Sequence, residues 1–208
     1  NGHLDSVIKL IEAGAKVDQV DEDGETALMR AAEYGHLDIV IKLIEAGAKV
    51  DQVDEDGKTA LVCAAIKGHL DIVTKLIEVR ANVDHSFCLN EDEKGWTALM
   101  AAADNVDLFI VTKLIEAGAK VNQVDEYGFT ALMLAVKHGH PLIVTKLIEA
   151  GANVDQVDED GETALMRAVK HGHPLIVTKL IEAGANVNQA DNDGETALML
   201  AVKHGHPL

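Results

Sequence analysis

Asp21-Glu22-Asp23-Gly24-Glu25-Thr26-Ala27-Leu28-Met29-Arg30-Ala31-Ala32-Glu33-Tyr34-Gly35-His36-Leu37-Asp38-Ile39-Val40-Ile41-Lys42-Leu43-Ile44-Glu45-Ala46-Gly47-Ala48-Lys49-Val50 is the stretch whose reading decides the fold. Thr26 to Glu33 is short, rich in Ala and Met, and stops before Gly35. That predicts a helix capped by Thr26 and ended by a C′ glycine. After Gly35-His36 a second helix is predicted, with Leu37, Val40, Ile41 and Ile44 on one broad face and Asp38, Lys42 and Glu45 opposite. Gly47 ends it, and the acidic, turn-rich segment beyond Val50 reads as a hairpin-type connection. Two antiparallel helices of this size cannot bury their apolar faces alone, but stacked copies can.

The copies are there. Thr-Ala-Leu recurs behind Gly24, Gly57, Gly95, Gly128, Gly161 and Gly194, at intervals of 33, 38, 33, 33 and 33 residues. Self-similarity at such a period is the mark of a repeat architecture. The expected fold is all-α, a solenoid of helix-turn-helix units joined by hairpin loops. The chain divides into a partial repeat over 1–20, repeats starting near 21, 54, 92, 125 and 158, and a partial repeat over 191–208. In the later units Pro141, Pro174 and Pro207 fall in the first turn of the second helix, where proline is tolerated.

This unit resembles the ankyrin-repeat family, whose 33-residue pattern carries Thr-Pro-Leu-His-x-Ala-Ala and Gly-His. The resemblance covers the whole chain. Ala27, Ala60, Ala98, Ala131, Ala164 and Ala197 stand where the family has proline, and Met29, Val62, Met100, Met133, Met166 and Met199 where it has histidine. The first helix thus lacks its proline start, so the corner between hairpin and helix is expected to differ in detail. The resemblance implies a non-enzymatic scaffold that holds a protein against its hairpins and inner helices.

Composition narrows the partner. Thirty-five acids against 18 bases give a formal charge of −17, which disfavours nucleic acid and favours a protein with a basic or mixed basic and apolar surface. No apolar run approaches the ~20 residues of a membrane span. Cys63 and Cys88 have neither metal nor disulfide spacing and read as reduced thiols of a cytoplasmic protein. The acidic hairpins fail the calcium-loop pattern, which needs an oxygen ligand first and Glu twelfth, since Gln19 and Arg30 hold those slots. Equivalent histidines are a repeat apart, too far to converge on one metal. With Ser6 and Ser86 as the sole serines, no catalytic constellation is visible, and no cofactor is expected. The chain is expected to be a monomer, with end-to-end packing through termini lacking a polar capping repeat as the alternative.

Function is expected where the units disagree. Arg80 replaces the glycine that ends the other second helices, five residues are inserted across 85–91, and Asn105-Val106-Asp107 stands in place of the Gly-His turn. The slot after the hairpin glycine reads Glu25, Lys58, Trp96, Phe129, Glu162, Glu195. Trp96, Phe129 and Tyr127 are therefore expected as an exposed cluster of anchors, with Phe87, Asp104, Asn105 and Glu126 around them. In a second row, Phe109, Leu142 and Leu175, the two leucines are expected to replace packing lost where Pro141 and Pro174 displace leucine.

Two other readings compete. Gly95-Trp96-Thr97 and Tyr127-Gly128-Phe129-Thr130 resemble hairpins in the ankyrin domain of the oligoadenylate-activated ribonuclease, which would imply a small nucleotide-like ligand. Residues 139–171 and 172–204 differ at only four positions (Asp155/Asn188, Val157/Ala190, Glu159/Asn192, Arg167/Leu200), the mark of recent duplication or of an engineered, consensus-like array with no natural partner.

Overall fold

A computed structural model describes residues 2–90 and 93–205; Glu91 of the insertion and Pro207 lie outside them. In chain order the elements are α1 (Gly2–Glu12), α2 (Ala27–Glu33), α3 (Leu37–Glu45), α4 (Ala60–Lys67), α5 (Leu70–Glu78), β1 (Ser86–Asn90) and β2 (Glu93–Thr97). They continue with α6 (Ala98–Asp104), α7 (Leu108–Glu116), α8 (Ala131–Lys137), α9 (Pro141–Glu149), α10 (Ala164–Lys170), α11 (Pro174–Glu182) and α12 (Ala197–His204). Even-numbered helices pack on one another in succession, odd-numbered helices do the same, and each even helix from α2 to α10 packs on the odd helix after it. The result is a two-layered solenoid.

The repeated residues do repeated work. Thr26, Thr59, Thr97, Thr130, Thr163 and Thr196 each accept the backbone N–H three residues on, capping the even helices. With the threonine cap in place, alanine takes the first helical position. Leu28, Leu61, Leu99, Leu132 and Leu165 are buried, as are Leu43, Leu76, Leu114, Leu147 and Leu180 in the odd helices.

Gly-His is explained by stacking. A Cβ on Gly35 would lie 2.7 Å from the His69 ring, and one on Gly139 would lie 2.6 Å from His173. Each of these rings seats beneath the turn of the preceding repeat, and the His69 Nε2 is 3.0 Å from the Glu33 carbonyl. The loops are stitched too. The backbone N–H groups of Lys49, Asn82, Lys120, Asn153 and Asn186 donate to side-chain oxygens of Asp18, Asp51, Asp84, Asn122 and Asp155, one repeat earlier, at 2.7–2.8 Å.

The irregular unit keeps this geometry instead of escaping it. Arg80 has φ 66° and makes the same closing bonds as Gly47: its N–H donates to the Ile77 carbonyl, and that of Ala81 to the Leu76 carbonyl. Val106 has φ 64° in the slot of Gly35 and Gly139, so the turn is retained with a β-branched residue in a left-handed conformation. Asp107 compensates in part. Its Oδ1 accepts the N–H groups of Phe109 and Ile110 at 3.0 Å, whereas the histidines at that position make no side-chain cap.

Candidate partner-binding surface

The hairpin tips are built on one device. Asp21, Asp54, Asp125, Asp158 and Asp191 each turn Oδ1 back onto the N–H groups two and four residues on. The glycine three residues after each aspartate closes the turn at positive φ. At Gly128 a Cβ would also come within 2.8 Å of the Asp158 backbone in the next tip. Tips are joined in a row by backbone bonds from Glu55 to Asp23, Glu159 to Tyr127 and Asn192 to Asp160. The aspartates that look like ligands are therefore structural. Among the described residues no group of three His, Cys, Asp or Glu is placed to hold a metal ion.

The insertion extends this row as a two-stranded antiparallel ladder of β1 and β2. Its register pairs Ser86 with Thr97, Phe87 with Trp96, Cys88 with Lys94 and Asn90 with Glu93, so Gly95 and Leu89 bulge out of it. Backbone bonds fix the ladder on both sides: Cys88 N–H to the Asp56 carbonyl, and Glu126 N–H to the Lys94 carbonyl. Leu89 lines a cleft of 180 Å³ with Cys63, Ile66 and the charged Glu25, Glu33, Lys58 and Lys67. Burial, with help from the nearby carboxylates of Asp54, Glu33 and Glu25, pushes the Cys63 thiol up to about 12, so it is inert and not a nucleophile.

This placement corrects the expectation for the anchor Trp96 and for Phe87 beside it. Trp96 is 6% exposed and Phe87 2%, because pairing across the ladder turns both into the core. They wedge the hairpin into place, and Trp96 offers no open face for stacking. Tyr127 and Phe129 are half-buried. The Arg167 guanidinium covers one Phe129 face, 4.2 Å from the ring centroid. Asp104, Asn105 and Glu126 are engaged within the stack: Asp104 Oδ1 lies 2.7 Å from His138 Nε2, Asn105 Nδ2 donates to the Ile66 carbonyl at 2.8 Å, and Glu126 Oε1 accepts from Lys94 N–H at 2.7 Å. The row Phe109, Leu142 and Leu175 is also corrected. These side chains are 71%, 67% and 58% exposed, because each lies about 200° round its helix from the inward-facing valine two residues on.

Sequence reasoning missed one cluster altogether. Arg167 Nε donates to Asp158 Oδ2 at 2.9 Å and also pairs with Glu162, which in turn pairs with Lys170; Asp158 and Glu162 are buried. Its equivalent near the other end, Asp21, Glu25 and Arg30, is more open. Backbone donation from Glu25 and a bond from Arg30 hold the Asp21 carboxyl below the usual range, whereas burial raises Asp125 despite the two N–H groups it accepts.

Stacked helix pairs, capping threonines and tip-to-tip hairpins are thus assembled on a 33-residue plan. The family profile for ankyrin repeats, in three copies, matches residues 1–87, 79–158 and 142–207. The chain is an ankyrin-repeat protein. A search of curated proteins returns no match. Ankyrin repeats generally serve as protein-interaction scaffolds and are typically non-enzymatic. Among the described residues no helix of this ankyrin array is long and apolar enough to cross a membrane.

Proposed function

We propose that the array is a scaffold for a protein partner with a basic or mixed basic and apolar surface, held along the row of hairpin tips. The observation that carries this reading is the division of labour among the tip acids. The first aspartate of each tip ties the loop, and the buried Asp158 and Glu162 are neutralised by Arg167 and Lys170. Glu22, Glu55 and Glu159, at the second tip position, are exposed and make no ion pair among the described residues. They form an uncompensated negative line that neither capping nor packing explains. Tyr127 and Phe129 supply apolar surface in the same row, with Glu126 beside them in the same tip. A cation-bearing segment seated there gains charge-assisted contacts and faster association.

The test is affinity capture with the intact array against Glu22→Gln/Glu55→Gln/Glu159→Gln. None of these carboxylates supports the fold, so the variant should melt like the original. Partners that bind the original at low salt, and are lost both in the variant and at high salt, support the reading. A partner held equally by both proteins refutes it.

A further inference from the structure

The C-terminal ends of the even helices are linked from repeat to repeat by a ladder of side chains. In each rung the residue just before the turn reaches back to the residue one place earlier in the preceding repeat. Lys67 Nζ lies 3.2 Å from Glu33 Oε1. Asn105 Nδ2 donates to the Ile66 carbonyl at 2.8 Å, and His138 Nε2 lies 2.7 Å from Asp104 Oδ1. These three rungs each join a donor to an acceptor. The next rung breaks the rule, because it sets His171 of α10 against Lys137 of α8.

Lys137 brings an unbalanced charge to that rung. Lys170 and Lys203 pair with the glutamate eight residues before them, Glu162 and Glu195. Phe129 holds that slot for Lys137, which is exposed and makes no ion pair among the described residues. The other groups around His171 supply no spare carboxylate. Arg167 and Lys170 on its own helix are matched to Asp158 and Glu162. His138 on α8 is held by Asp104, and α12 adds His204 and Lys203, the latter matched to Glu195. At the start of α11 stands His173, its ring stacked on that of His171 with centroids 6.0 Å apart. The His173 ring is pinned beneath Gly139, and its Nε2 is buried with no hydrogen-bond partner among the described residues. It has no room to turn away.

We infer that the joint between α8 and α10 is an acid-sensitive joint of the solenoid, opened when His171 takes up a proton opposite Lys137. The preceding joint responds in the opposite sense, since a protonated His138 makes a charge-assisted bond to Asp104. Acid therefore loosens α10, α11 and α12 from the array while tightening α8 onto α6. Burial, followed by His173, Arg167, Lys137 and Lys170, lowers the pKa of His171, so folding favours its neutral form. That contribution is complete above the ordinary 6.5 and is lost as pH falls below it. The device is independent of what the hairpin tips bind.

The test is hydrogen exchange followed by mass spectrometry, at about one pH unit above and about one unit below 6.5, corrected for the intrinsic pH dependence of exchange. Protection of α10, α11 and α12 should fall about fivefold or more on acidification, while that of α4, α6 and α8 holds or rises. His171→Asn should abolish the acid-induced loss, and it keeps the fold because Asn105 already occupies that slot. Lys137→Glu, which restores the carboxylate that Glu33 supplies in the first rung, should reverse the sign, so that acid protects α10 to α12. Unchanged protection of α10 to α12, or equal loss along the whole array, overturns the inference. So does an undiminished acid-induced loss in either variant.

Discussion

Trp96→Ala tests the most consequential placement in the molecule, because the same residue is an anchor if exposed and a wedge if buried. At 6% exposure the substitution removes nearly a whole indole from the core. Roughly 200 Å² of apolar surface at about 25 cal/mol per Å² sets a ceiling near 5 kcal/mol. That loss is offset in part: the indole Nε1 is buried with no acceptor among the described residues, and losing an orphan donor returns about 1–3 kcal/mol. The expected net loss is about 2–4 kcal/mol, read from urea melts followed by far-ultraviolet circular dichroism. Trp96→Phe, which keeps the ring and drops the donor, should stay within about 1 kcal/mol of the original. Since Trp96 is the sole tryptophan, its native emission should be blue-shifted and shielded from iodide. Loss below about 1 kcal/mol for the alanine variant, with emission resembling that of the unfolded chain, would refute the wedge.

Other outcomes follow from the same geometry. Arg167→Ala takes from the buried Asp158 its ion-pair partner and from Glu162 one of two, and should cost about 3–5 kcal/mol, whereas Arg30→Ala at the more open equivalent should cost much less. Arg80→Gly relieves the left-handed strain and should stabilise the array by about 0.5–1 kcal/mol in urea melts, after allowing for the freer unfolded chain. Cys63 should alkylate at pH 8 at least about tenfold more slowly in the native protein than in the urea-unfolded one, its thiol being held near 12. Burial, then the neighbouring His173 and the cations Arg167, Lys137 and Lys170, lower the His171 pKa below its ordinary 6.5. Its neutral form is therefore favoured by folding. That contribution is present above pH 6.5 and lost as pH falls below it, so His171→Asn should flatten the melting-temperature decline as pH falls below 6.5.

The solenoid was legible because its signals are local and repeated: a capping threonine, a buried leucine, a turn glycine, at a fixed interval. The aromatic slot was not, because its charged occupants disguise how enclosed it is. Glu25 and Glu162 look like surface residues until each is seen paired with the arginine five positions on, Arg30 and Arg167. Where the slot holds Trp96 or Phe129, that later position holds Ala101 or Leu134, and both of these are buried. Arg80 keeps the backbone of the glycine it replaces, because hydrogen bonds on both sides of the turn over-determine it. The exposure of Leu142 and Leu175 was hidden because proline and leucine exchange places in adjacent slots, and only helix phase separates inward from outward.

The loop stitches have an implication for how such a molecule changes over generations. The acceptor is aspartate at four joints and asparagine at Asn122, and either side chain offers the one oxygen the neighbouring N–H needs. Exchanging one for the other alters the charge by a full unit while every joint stays closed. The near-duplicate units have drifted in this currency, with Asp155 in one and Asn188 in the other. The array can therefore retune its electrostatic field repeat by repeat while the architecture underneath stays constant.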